Sequence, residues 1–221
     1  YLPVFLFFLN FAIIAYFPAL GFPLTEPRNY FFANLLYMTV NFAVMLLIFR
    51  RTLWQSLREF EGKMLLSVLI GFGMCYGANL VLTTAYTVLD IMPENYNQEA
   101  VNSLLGGYPL AMTLCTVVLA PLAEECLFRG VLFAPLARRC LPAAYALSMF
   151  LFAGMHVFQF LGSMTAANTI LCLSLYLPAS FSLCWVYQKT GNIWAGIFLH
   201  MFINFQSVLA SLLRSLMQAF L

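Results

Sequence analysis

Apolar stretches about 20 residues long, the length that crosses a bilayer as a helix, recur along the whole chain between short polar connections. Seven spans are predicted, at about 2–20, 31–49, 64–89, 104–123, 142–160, 168–187 and 192–213. A further helix over about 121–137 continues the fourth or breaks from it. The segment Arg50–Lys63 carries Leu53, Trp54, Leu57 and Phe60 between charged residues. That is the pattern of a short amphipathic helix lying on the membrane surface.

Composition agrees with the pattern. Hydrophobic residues make up 63 % of the 221 and charged residues 8 %, against roughly 25 % charged in an ordinary soluble domain. The expected fold is an all-α polytopic bundle of about seven to eight spans, forming one transmembrane domain over 1–221. Residue 1 is a tyrosine, so an N-terminal piece is expected to precede it. The six cysteines are scattered singly through or beside apolar segments, with no C-x-x-C pair. They read as small buried hydrophobes rather than a disulfide framework or a metal knuckle. A net charge of +2, with the bases at loop ends, excludes nucleic acid as a partner and fits membrane topology.

Arg50, Arg51, Arg58 and Lys63, then Arg138 and Arg139, then Lys189 mark three connections as cytoplasmic by the positive-inside rule. The loop Asp90–Ser103 holds three acids and no base, so it faces outward. Arg28 and Arg214 dissent singly. The assignment alternates correctly and puts the N-terminus inside.

Three charges break the fourth apolar stretch: Glu124, Glu125 and Arg129. A charge at the centre of a membrane helix costs roughly 2.5–3.5 kcal/mol on insertion scales. Glu125 and Arg129 are four apart, acid first, the favourable order for a helical ion pair. Glu124 lies about 100° around the helix without such a partner. The spacing therefore divides the roles into a neutralised carboxylate, Glu125, and an available one, Glu124.

The chain has 2 histidines, His156 and His200, and both fall inside predicted spans. At a rise of 1.5 Å per residue, Glu124 lies roughly 21 Å from Arg138, His156 roughly 20 Å from the helix start at Ala143, and His200 roughly 16 Å from Lys189. One shared level makes a polar chamber that water must reach. Asn204 follows His200 by one turn, so both can donate toward one point. Phe152 precedes His156 by one turn and can wall or orient that ring. Asn41, Asn79, Thr83, Thr84 and Ser174 have no comparable pattern and read as packing contacts.

In this order, Glu124-Glu125-x-x-x-Arg129, Phe152-x-x-x-His156 and His200-x-x-x-Asn204 resemble the CPBP family. This family groups CAAX-type prenyl endopeptidases with bacteriocin-processing or immunity-associated membrane proteins, also called Abi. Glu-Glu-x-x-Phe-Arg-Gly at Glu124–Gly130 and Thr190-Gly-Asn-Ile-Trp-Ala-Gly before the second histidine agree with it. The motif-bearing core covers about 105–210. The resemblance implies about eight spans around a cavity open to the cytosolic side and the membrane. It also implies hydrolysis of a peptide bond in a membrane-associated or prenylated protein or peptide. Carried onto this chain, Glu124 and His156 activate water, His200 and Asn204 stabilise the oxyanion, and Glu125 and Arg129 support them.

The family is often labelled metalloprotease, and Glu124, His156 and His200 are a permissible zinc set. No H-E-x-x-H is present, and that set leaves as base only Glu125, already tied to Arg129. A glutamate mechanism without a cofactor is therefore favoured over zinc. Two other classes compete: a catalytically silent scaffold or immunity factor, and a proton-coupled transporter. The transporter's signature of repeated broken spans is absent around Pro121 and Pro178. Membrane lipid is the implied surrounding and a bacterial cytoplasmic membrane the implied location. The substrate and oligomeric state are not legible.

Overall fold

Helix ends in this chain are set by a few residues with clear stereochemical roles. Pro27 opens α1 (Pro27–Arg58), where a missing N–H costs nothing. After α2 (Met64–Val88), Asp90 turns the chain with φ 54, the left-handed region that aspartate tolerates. Asn95 caps α3 (Tyr96–Gly107) by accepting from the Gln98 N–H at 3.1 Å. Extended Tyr108 and Pro109 separate α3 from α4 (Pro109–Ala137). Pro142 stands near the start of α5 (Leu141–Val157), which runs on into a 3₁₀ turn, Phe158–Ser163. Thr165 caps α6 (Ala166–Thr190), and Gly191, with φ 64, ends it in the left-handed conformation a glycine adopts without strain. Asn192 caps α7 (Ile193–Ala219).

The structure is a computed structural model that describes residues 12–13 and 16–220, and every regular element among them is a helix. Six helices (α1, α2 and α4 to α7) are long and apolar enough to cross a membrane. The chain is thus an integral, multi-pass membrane protein of all-α architecture. The span expected at 2–20 falls largely outside the described residues. Large apolar side chains such as Leu66 at 63 % and Leu110 at 88 % exposure face outward, as lipid contact requires. The spans of α4 and α6 are each 39 % buried and that of α2 only 17 %, so α4 and α6 are central. Small residues let helices approach there. A Cβ on Gly71 of α2 would sit 2.5 Å from the Val186 side chain of α6.

Two expectations are corrected. Arg50–Arg58 is not a separate surface helix but the last turns of α1. Leu53 and Ser56 are buried there because they pack on α7, whereas Trp54 stays exposed. The expected pieces 104–123 and 121–137 form one continuous α4 that begins at Pro109, and residues 104–107 belong to α3.

That continuity depends on two wide π turns, Cys115–Leu119 and Cys126–Phe133, which flank Ala120–Glu125. In them the Ala120 N–H donates to Cys115 O and the Ala134 N–H to Arg129 O, each five residues back. Pro121 and Pro135 follow directly. A proline has no N–H and its ring crowds the preceding turn, so a wider turn lets α4 pass each one without ending. Such π segments concentrate at functional sites, and the stretch held between these two carries both glutamates.

Candidate active site

Glu125 and Arg129 are both fully buried and paired, with Arg129 Nη1 donating to Glu125 Oε1 at 3.1 Å. The spacing argument holds, and the tertiary structure adds a third member. His200 Nδ1 lies 2.9 Å from the same Oε1. An ionised carboxylate only accepts, so His200 donates from Nδ1. Arg129 Nη2 also donates to Ser180 O in α6 at 3.1 Å. Gly196 lets α7 come this close, because a Cβ there would meet Glu125 Oε2 at 3.1 Å. The loop before His200 locks the register. Asn192 Nδ2 donates to Ser56 O at 2.7 Å, and Trp194 Nε1 donates to Leu53 O at 2.8 Å.

Glu124 has the opposite character. Its side chain is 18 % exposed, and its Oε2 is buried without a hydrogen-bond partner in the protein. His200 Nε2 lies 3.8 Å from that oxygen, beyond hydrogen-bond reach. Glu124 borders a cavity of about 180 Å³ whose wall includes His156, Asn204, Thr116 and Tyr176. A smaller hollow of about 50 Å³ lies against Glu124 beside Tyr37, Asn41 and Met45. Of the four groups expected to share a chamber, Glu124, His156 and Asn204 line this cavity, whereas His200 is buried at 3 % exposure and does not line it.

His156 Nδ1 lies 2.8 Å from the Phe152 carbonyl. A carbonyl only accepts, so Nδ1 donates and the lone pair falls on Nε2. The Phe152 ring sits between the two imidazoles, 4.9 Å from His156 and 5.6 Å from His200 by ring centroids. Its face also meets Arg129 Cζ at 5.1 Å. Phe152 thus spaces the two histidines and keys both to the buried ion pair.

The sequence reading missed Tyr176, one more aromatic residue in an apolar span. Its ring stacks on His156 with centroids 4.6 Å apart and planes at 21°. Its hydroxyl donates to Asn95 Oδ1 at 3.0 Å and accepts from Asn97 Nδ2 at 3.2 Å. Only the packing of α6 against α3 and α5 brings these groups together. Tyr176→Phe is expected to keep the stack and most of the site's activity. Tyr176→Leu is expected to lose the stack, free the His156 ring and lower kcat with little change in KM. Steady-state kinetics on the two variants checks this.

Asn204 differs from expectation. Its Nδ2 donates to Thr116 O at 2.8 Å rather than joining His200 at one point. In the π register Thr116 O would receive the N–H of residue 121, which is a proline, and Asn204 supplies the missing donor. The amide has a second hydrogen, so one remains for a ligand. Asn41 donates to Tyr37 O and Thr83 to Asn79 O within their own helices, as packing contacts do.

Histidines with Nδ1 bound to a carboxylate or carbonyl have the tautomer that a zinc ligand uses. The set Glu124, His156 and His200 nevertheless does not gather. Among the described residues no group of three His, Cys, Asp or Glu side chains is placed to hold a metal ion.

Residues 106–206, the stretch with all three motifs, match the Rce1-like family, described as Type II CAAX prenyl endopeptidase Rce1-like. The "Putative membrane peptidase YdiL" of Bacillus subtilis (strain 168) is 28 % identical over 166 residues, covering 73 % of this chain. The match spans 64 % of that relative's own length. No solved structure matches the chain.

Proposed function

From the likeness of residues 106–206 to the Rce1-like family and of the chain to a membrane peptidase, we propose that it is a CPBP-type CAAX membrane peptidase, an intramembrane endopeptidase of the glutamate type. The observation that carries the proposal is the contrast between neighbours. Glu125 is fully buried and its Oε1 takes both Arg129 and His200, whereas Glu124 has no hydrogen-bonded ion partner and is 18 % exposed at the edge of the chamber, with a buried Oε2 that no protein group bonds.

In the proposed reaction, a water between Glu124 and His156 loses a proton as its oxygen attacks the substrate carbonyl. Glu124 takes the proton, and the Nε2 lone pair of His156 orients the water by accepting its other hydrogen. The negative charge that forms on the carbonyl oxygen meets the Nε2–H of protonated His200 and the second amide hydrogen of Asn204. The intermediate collapses, the C–N bond breaks, and the proton passes to the leaving amine. Preorganised donors at an oxyanion are worth roughly 3–4 kcal/mol each in comparable sites.

Substrates in this proposal are membrane-bound proteins or peptides, prenylated or not. Proteoliposomes holding the purified chain are to be incubated with membranes from cells that lack it, and new C-termini read by mass spectrometry. Cleavage that His156→Ala removes and that persists after chelation is expected. Stoichiometric zinc whose removal stops cleavage overturns the metal-free mechanism, and an absence of new termini overturns the peptidase reading.

A further inference from the structure

The chamber has an open end and a closed end, and the charge pattern says which compartment each one meets. Toward the Arg50–Lys63 end, a buried apolar layer of Met45, Leu53, Leu122, Cys126, Ile193 and Ile197 lies beneath Glu124. Beyond that layer α1 and α7 are joined by Asn192 Nδ2 to Ser56 O, Ile193 N to Ser56 Oγ and Trp194 Nε1 to Leu53 O. These contacts close the bundle on that side.

The cavity runs the other way. From Glu124 and His156 it passes Asn204 and Tyr176 to Asn34, Asn97, Gln98, Gln159 and Ser207, under α3 and the 3₁₀ turn after α5. Helix α3 is tethered over this mouth from both sides. Ser207 and Ser211 of α7 donate to Gln98 and Asn102, while Asn168 of α6 exchanges two hydrogen bonds with the Glu94 backbone. Among the described lining residues the ionisable groups other than tyrosine are Glu124 and His156, both at the floor. The rest of the polar wall is amide and hydroxyl. Such a wall offers both donors and acceptors to a peptide backbone and no ion partner to a charged side chain.

The closed end carries Arg50, Arg51, Arg58, Lys63, Arg138, Arg139 and Lys189, whereas the open end carries Arg28 and Arg214 as its bases, together with Asp90, Glu94 and Glu99. Lys and Arg in short connections set orientation. Building on the peptidase reading above, we propose that the chamber opens on the extracytoplasmic side and receives an uncharged, extended peptide segment presented there after translocation. This reverses the cytosolic opening that the family resemblance implies.

The test uses thiol labelling, which needs no cleavage. Cys140, beside Arg138 and Arg139, is the exposed cysteine, and the other five are buried. In the unaltered chain, a membrane-impermeant maleimide is expected to label Cys140 several-fold more strongly in inverted vesicles than in intact cells. In a Cys140→Ser background, Glu99→Cys on the exposed face of α3 and Gln98→Cys in the mouth are expected to label from outside intact cells. The opposite sidedness, or a Gln98→Cys that resists label from both sides while Glu99→Cys reacts, overturns the proposal. In the proteoliposomes, a bulky maleimide on Gln98→Cys is expected to stop cleavage. Correct sidedness without any cleavage sinks the peptidase reading alone, and cleavage with reversed sidedness sinks the access direction alone.

Discussion

Glu124→Gln is expected to abolish cleavage, with a loss on the order of 10²–10⁴, the range ascribed to a positioned general base. The substitution is nearly isosteric and removes a charge that has no ion partner within hydrogen-bond reach. The fold should therefore be kept, and the thermal transition in detergent should not fall. A scaffold or immunity factor that uses the chamber only for binding should retain its phenotype with glutamine, since shape and polarity are kept. Cleavage surviving in Glu124→Gln would move the base elsewhere; Glu125 is paired with Arg129, fully buried and absent from the cavity wall.

The largest effect on stability is expected at Arg129. Its guanidinium is fully buried and neutralises Glu125, while bonding Ser180 O and lying against Phe152. Arg129→Met leaves a carboxylate at 0 % exposure with only a histidine for company. Breaking a buried pair from one side costs roughly 3–5 kcal/mol, a large part of the stability of a single domain. Replacing both partners by apolar residues is often far less costly. The double variant Arg129→Met with Glu125→Met is therefore expected to be more stable than Arg129→Met alone. It should still be inactive, because His200 loses the carboxylate that fixes its ring. Denaturation midpoints for the two singles and the double give the coupling directly. Additive effects would show that the pair is not the structural centre of α4.

Much of this was legible in the chain. The spans expected at 64–89, 142–160 and 168–187 appear within about three residues of both limits, and the one at 192–213 starts where expected but runs on to Ala219, because bilayer thickness and apolar run length are one-dimensional properties; α1 and α4 run well past theirs. The Glu125–Arg129 pair followed from a four-residue spacing on one helix. The shared depth of Glu124, His156 and His200 followed from helix rise. The two π turns left only the trace of Pro121 and Pro135 inside one span, and the sequence left open whether the helix continues or breaks there. For the same reason the bond that takes one of the two amide hydrogens of Asn204 was not foreseen. Its partner, Thr116 O, is freed by a backbone register that side-chain patterns do not reveal.

The amino-acid sequence by itself determined that this is a multi-pass helical membrane protein, which carboxylate is neutralised and which is available, and which end carries the basic belt. Those are matters of run length, spacing and charge along one chain. Only the tertiary structure decided that His200 donates to Glu125, that Tyr176 stacks on His156, and that the chamber closes toward Ser56 and opens beneath α3. Each of these depends on the packing of helices distant in sequence, whose rotations about their own axes hydrophobicity leaves almost free when spans are apolar all round.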